Sequence, residues 1–159
     1  MIRVLDTSVL INLFNGQVIK TALSNGQIYA IGPSVQQECD DDILQYIYDE
    51  NIPLKHLNDD SIPADAYINL KTKMNLGSGE AECIAYGSIK TNSILYSDDK
   101  KARNYITKVF GENRLSGSIG ILMELSKMGI LTDKECFEAY QKMIKAGAFL
   151  PAMTQRDFK

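Results

Sequence analysis

The sequence predicts an α/β fold organised around a mainly parallel sheet, and two features lead there. Short apolar runs at residues 2–5, 27–31, 52–57 and 93–97 alternate with longer segments of helical period, the pattern of repeated strand–helix–strand units. The chain has 159 residues, is 45% hydrophobic and shows no shift in composition along its length, which suits one compact domain with a buried core. That single domain is expected over residues 1–150, with a tail at 151–159 that has no clear period.

Taken in order, strand Ile2 to Leu5 ends at Asp6. Thr7 to Phe14 and Val18 to Leu23 read as helices separated by Asn15-Gly16, and Asn25-Gly26 turns the chain into the second strand. Pro33-Ser34 opens a helix in which Val35, Cys39, Ile43 and Ile47 recur every four residues. Pro33 suits its first turn because the missing N–H has no partner there. This helix is expected to last until Asn51-Ile52-Pro53. The next runs from Ser61-Ile62-Pro63 to about Met74. Gly77-Ser78-Gly79 breaks the pattern, and a new helix begins at Glu80 with Cys83, Ile84 and Gly87 on the same face, so Glu80 is expected to face inward. Glu82 lies roughly 200° around that helix and is expected to point sideways or away.

A further helix covers Lys100 to about Phe110, and Arg114-Leu115-Ser116 is a candidate fifth strand. Ser118 to Lys127 is apolar nearly all round and should be sandwiched in the core. The last helix starts at a capping box, Thr132 with Glu135, and carries Cys136, Phe137, Tyr140, Met143 and Ile144 as one stripe until Gly147 stops it. That stripe is either core or a dimer surface.

Bulk properties narrow the function. A net charge of −3 gives no overall basic footprint, so any nucleic-acid contact must be local. Cys39, Cys83 and Cys136 are odd in number and contain no CxxC pair, which argues for buried reduced thiols over a disulfide framework or a thiolate zinc site. The opening apolar run is interrupted by Arg3, Asp6 and Asn12, and reads as neither a signal peptide nor a membrane span. A cytoplasmic location is expected. No phosphate-binding GxxxxGK[ST] loop is present. His56, the only histidine, falls in a strand-like segment beside Lys55 and reads as structural.

The carboxylates carry the chemistry. Asp6 sits where an apolar strand ends, and in a parallel sheet the carboxyl ends of the strands form the ligand-binding edge. An ionised carboxylate there needs a partner, yet an N-cap for the following helix is an equally good account. Asp98 and Asp99 repeat the situation at another strand tip, and packing two acids together raises repulsion that a divalent cation would relieve. Asp98 is the closer to the tip; Asp99 reads as support or cap. Glu38 lies at the edge of a buried stripe, whereas Asp40 to Asp42 read as a solvated face. Glu80 and Glu82 also have an ordinary explanation as first-turn acids that complement the helix dipole. Together Asp6, Glu38, Glu80 and Asp98 make an oxygen-only set, suited to Mg²⁺ or Mn²⁺ rather than zinc.

Four blocks resemble the PIN-domain family, over most of the chain. Val4-Leu5-Asp6-Thr7-Ser8-Val9-Leu10-Ile11 is similar to the family's opening, which implies a metal-binding Asp6 supported by Ser8. Ile31-Gly32-Pro33-Ser34-Val35-Gln36-Gln37-Glu38 resembles the block whose helix supplies an inward Glu, here Glu38. Leu76-Gly77-Ser78-Gly79-Glu80-Ala81-Glu82-Cys83-Ile84-Ala85 resembles the third block in a subgroup with a Gly-Glu-Ala-Glu motif, with Glu80 where Asp is commoner and Gly87 where Ala is usual. Ile94-Leu95-Tyr96-Ser97-Asp98-Asp99-Lys100-Lys101-Ala102-Arg103 resembles the strand whose Asp completes the metal site, followed by a basic helix start. Ser116-Gly117-Ser118-Ile119-Gly120-Ile121-Leu122 is similar to the same subgroup.

The resemblance implies a three-layer α/β/α fold with four to five strands and a metal-dependent endoribonuclease acting on single-stranded or structured RNA. In VapC-like members this is the toxin of a toxin/antitoxin pair. It further implies metal at Asp6, Glu38, Glu80, Asp98 and Asp99, support from Ser8 and Glu82, RNA contacts at Lys100, Lys101 and Arg103, a homodimer, and an antitoxin partner. The rival expectation is a PIN-like module that binds RNA or protein without cutting. Receiver and haloacid-dehalogenase-like readings fail because Asp6-Thr7-Ser8 offers neither an acid pair nor a DxD.

Overall fold

The computed structural model describes residues 1–159. Strands β1 (Ile2–Leu5), β2 (Ile28–Ile31), β3 (Lys55–His56), β4 (Ser93–Tyr96) and β5 (Leu115–Ser116) form one sheet in the order β3-β2-β1-β4-β5, with every neighbouring pair parallel. Parallel neighbours require crossovers, and helices supply them. Helices α1 (Thr7–Asn15) and α2 (Ile19–Leu23) join β1 to β2, and α3 (Pro33–Glu38) and α4 (Asp41–Asp49) join β2 to β3. Helices α5 (Ala64–Thr72) and α6 (Ser78–Ile89) lead to β4, α7 (Lys100–Phe110) leads to β5, and α8 (Ser118–Lys127) and α9 (Asp133–Lys145) follow.

Successive side chains alternate across a strand, so the two faces of the sheet bury different residues. Val4 and Leu95 pack with Leu70, Leu76, Ile84 and Ile106 in the layer of α5, α6 and α7. Leu5, Tyr29 and Tyr96 pack with Leu10, Leu13, Ile121, Leu125 and Met143 on the other side. The result is the expected three-layer α/β/α arrangement with five strands. The last helix turns most of its stripe inward, since Cys136, Tyr140 and Met143 are buried, while Ile144 is exposed. Gly87 is where α6 comes closest to the sheet: a Cβ there would lie 2.7 Å from Leu95 Cδ1. All three cysteines are buried and free. No helix is long and apolar enough to cross a membrane.

Three local expectations change. The single helix expected from Pro33 is two, broken where Cys39 and Asp40 turn extended (ψ 143° and 135°). The apolar spacing survives the break because Cys39 remains buried, and the acidic run restarts the helix with Asp41 and Asp42 at its positive end. The strand expected at 52–57 shrinks to Lys55–His56: Ile52 N–H donates to Ile47 O at the end of α4, and Pro53 has no N–H to offer. Helix α6 starts at Ser78, which leaves Glu80 as the third residue of its first turn.

The tail is held despite its lack of period. Tyr140 donates its hydroxyl to Pro151 O (2.7 Å) and accepts from Met153 N (3.2 Å), and Phe158 is buried in the core beyond.

Arg3 shares the face of Leu5 and meets Glu124 of α8 through two bonds, Nη1 to Oε2 at 2.5 Å and Nη2 to Oε1 at 2.9 Å. Removing the acid leaves a buried guanidinium unpaired. Glu124→Ala is expected to lower unfolding free energy by about 2–3 kcal/mol in a denaturant titration, and Arg3→Met combined with Glu124→Leu to recover most of it. Equal losses in the single and double variants would show that the unpaired guanidinium is not what the loss of Glu124 costs.

Candidate active site at the carboxyl ends of the central strands

Strands β1 and β4 lie side by side at the middle of the sheet, with Leu5 opposite Tyr96. The order in which strands are added switches from one side to the other between them, and the crevice beyond strand ends at such a point is the usual ligand site of an open parallel sheet. Asp6 and the pair Ser97-Asp98 leave the sheet there together, and Asp6 N–H donates to Tyr96 O at 3.0 Å.

Asp6 is 1% exposed. Its Oδ1 accepts from Val9 N at 3.3 Å, capping α1, and from Ser8 Oγ at 2.5 Å. Both readings of Asp6 therefore have a place in the structure, because only one oxygen is used by the cap. The other, Oδ2, is buried without a hydrogen-bond partner. Burial pushes the carboxyl up to about 7, the charge of Asp98 adds to the rise, and the nearby hydroxyls of Ser8 and Ser97 partly oppose it.

Ser8 ties the two acids together. While its hydroxyl donates to Asp6, it accepts from Asp98 N at 3.0 Å. The Asp98 carboxylate is fixed by Asn12 Nδ2 at 2.8 Å, by Ser118 N at 2.9 Å and by the Ser118 hydroxyl. Gly117 makes this possible: a Cβ at that position would run into Asp98 Oδ1 and lie 2.9 Å from both Arg103 Nη1 and Ser97 O.

The other acids stand around this pair. Glu38, the last residue of α3, accepts from Thr7 Oγ1 at 2.7 Å and lies across Gly79, where a Cβ would collide with its Oε1. Glu80 turns its carboxylate back to Gly77 N at 2.9 Å, closing the first turn of α6. Its carboxyl is raised by burial first, then by Asp99 and Glu38, against the opposing pull of Gly77 N–H and Lys101. Asp99 caps α7 by accepting from Ala102 N at 2.9 Å.

Glu82 departs from its expected direction. It is 6% exposed and accepts from Ser34 N at 2.7 Å, and burial raises its carboxyl. Helix α6 is enclosed on nearly all sides, with residues 79 and 81–87 buried, so a position turned 200° from Glu80 meets α3 instead of water.

Of the basic residues, Lys101 donates to Asn75 O at 3.0 Å, and Arg103 Nη1 donates to Ser97 O (2.8 Å) and Ser116 O (3.1 Å). Lys100 is exposed. His56 is exposed, 3.2 Å from Gln36 Oε1, and takes no part.

No three of the acidic groups converge closely enough to hold a metal ion as they stand. The donor chemistry still fits a hard divalent cation: the set is oxygen only, and Asp6 Oδ2 is a buried acceptor that makes no hydrogen bond. Glu38 and Glu80 are each held by one reversible hydrogen bond to a hydroxyl or an amide.

Sequence reading did not single out Asn12, Ser118, Gly79 or Gly117 for the site. Asn12 had a signal, being a polar residue one turn beyond Ser8 inside the apolar run Val9 to Leu13. Residues 2–158 match a family model described as DUF3368: PIN domain. No curated protein and no solved structure gives a match.

Proposed function

Because the chain belongs to the PIN-domain family, whose members are generally nucleases, we propose that it is a Mg²⁺- or Mn²⁺-dependent endoribonuclease centred on Asp6 and Asp98. The observation that carries this reading is the unpartnered, buried Oδ2 of Asp6, joined through Ser8 to a second carboxylate at the strand-order reversal. A protein that needed Asp6 only as a helix cap would gain nothing from burying its second oxygen.

Asp6 and Asp98 would hold the cation, with Glu38 and Glu80 supporting it or a second ion. When bound, the metal supplies a Lewis acid that makes water a better nucleophile and offsets charge gathering on the phosphate. Ser8 fixes the rotamer of Asp6 and the backbone of Asp98, while Asn12 and Ser118 set the plane of the Asp98 carboxylate. Such positioning matters because small misplacements of reacting groups cost orders of magnitude in rate. Glu38, freed from Thr7, would take the proton of the attacking water. Lys100 would meet the substrate backbone beside Asp98, giving local positive charge to a chain of net −3. The proposal extends to a homodimeric toxin restrained by an antitoxin protein, as in VapC-like members of the family.

A second reading, a PIN-like binding module that does not cut, is favoured by one observation: Glu38 and Glu80 are satisfied by protein donors and the acids do not converge. Cleavage of a varied RNA pool with Mn²⁺ against EDTA separates the two. We expect cutting that needs the metal and disappears in both Asp6→Asn and Asp98→Asn. No cutting, together with no calorimetric Mn²⁺ binding that depends on Asp6, would leave the binding module.

A further inference from the structure

Beside Asp98 the surface opens into a cavity of about 630 Å³, within the size range that bound ligands fill. It is lined by Lys100, Arg103 and Asn104 of α7, by Met123 of α8 and by Phe149 and Met153 of the tail segment.

The apolar part of the lining is constructed, not incidental. Phe149 is 96% exposed, and a phenyl ring left in water forgoes about 2 kcal/mol of burial. The segment carrying it is nonetheless fixed at both ends. Gly147 (φ +102°) turns the chain away from α9, and the Tyr140 hydroxyl bonds Pro151 O and Met153 N. Further along, Ser126 Oγ donates to the carbonyl of buried Phe158. A pinned strap thus holds one aromatic face in solvent at the rim of the cavity. The α7 part of the lining has unspent positive charge: Arg103 uses only Nη1 on backbone carbonyls, and Lys100 is exposed. Asp98 itself is part of the lining.

An exposed ring, cationic groups lining the same cavity and continuity with the strand-tip acids match one kind of ligand, a nucleotide whose base is free to stack. Resting on the ribonuclease reading, we propose that this cavity receives an unpaired nucleobase of the substrate strand, stacked on Phe149, with the adjoining phosphate on Lys100 and Arg103. A base within a duplex already has both faces covered and its edge paired, so the cavity selects single-stranded RNA next to the phosphate at Asp98.

The test is fluorescence titration of a short single-stranded RNA containing 2-aminopurine, in EDTA so that nothing is cut, alongside cleavage with Mn²⁺. Stacking quenches the probe. Phe149→Ala is expected to weaken binding about tenfold or more and Phe149→Trp to preserve it, with melting temperatures unchanged because the ring is exposed. The same RNA as a duplex should compete poorly. Equal binding by wild type and Phe149→Ala overturns the proposal. So does a change confined to sedimentation, which would make Phe149 a contact between copies of the chain. Phe149-dependent quenching without cleavage keeps the base site and discards the ribonuclease; cleavage indifferent to Phe149 does the reverse.

Discussion

Replacing Asp6 by Asn is expected to raise the melting temperature of the metal-free protein at pH 8 by about 4–8 °C while abolishing cleavage. The carboxyl, ordinarily near 3.9, is pushed up to about 7 by burial. Between those two pH values the folded state binds a proton that the unfolded state has released. Stability from this group is therefore complete below about pH 4 and is lost as pH rises through 7. The full difference is worth up to about 4 kcal/mol. Asn keeps the acceptor for Val9 and Ser8 but places an amide where Oδ2 had no partner, so about half of that is expected to be recovered. The gain should vanish at pH 4. A saturating divalent cation should stabilise the wild type and leave Asp6→Asn where it was, because only the native carboxylate binds it. Melting curves across pH, with and without Mn²⁺, check both statements. An Asn variant less stable than wild type at pH 8 would mean that Asp6 is held ionised by something other than a metal.

Gly117→Ala is expected to reduce cleavage by about a hundredfold or more with a modest loss of stability, about 1–3 kcal/mol. The backbone at Gly117 is extended (φ −168°, ψ −164°), a conformation alanine adopts freely, so the effect is purely one of space. The methyl would run into Asp98 Oδ1 and crowd Ser97 O and Arg103 Nη1, at 2.9 Å each. Ser97 O belongs to the backbone and cannot swing aside, which leaves the Asp98 side chain to move, breaking its bonds to Asn12 and Ser118. Single-turnover cleavage with parallel thermal melts measures the two effects. A variant that cuts at the wild-type rate would show that Asp98 tolerates displacement and is not held for catalysis.

The readable parts of this molecule are those set by local pattern. Apolar runs alternating with helical periods gave the parallel sheet, and acids at the ends of two such runs gave Asp6 and Asp98. What escaped depends on neighbours remote in sequence. Ser118 donates to Asp98 only because β5 delivers α8 to the strand tips, and Gly117 matters only because a carboxylate passes over it. Glu82 illustrates the limit of helical geometry: angle around a helix predicts exposure only where one side meets water, and α6 is buried on nearly every side. The break at Cys39 kept the four-residue apolar spacing that suggested one continuous helix.

The order of the sheet also bears on when the protein becomes active during its own synthesis. β1 is made first but pairs with β4 on one side, and the carboxylate at the tip of β4 is fixed by Ser118, which emerges later still. A chain leaving the ribosome could form β1, α1, α2 and β2 and still have no second acid beside Asp6. Long-range parallel pairing of this kind is slow to form and comes late in folding. Nascent chains and fragments truncated before α8 would thus be born without a second fixed acid beside Asp6, a built-in delay that would keep the proposed ribonuclease from cutting RNA around the ribosome that makes it.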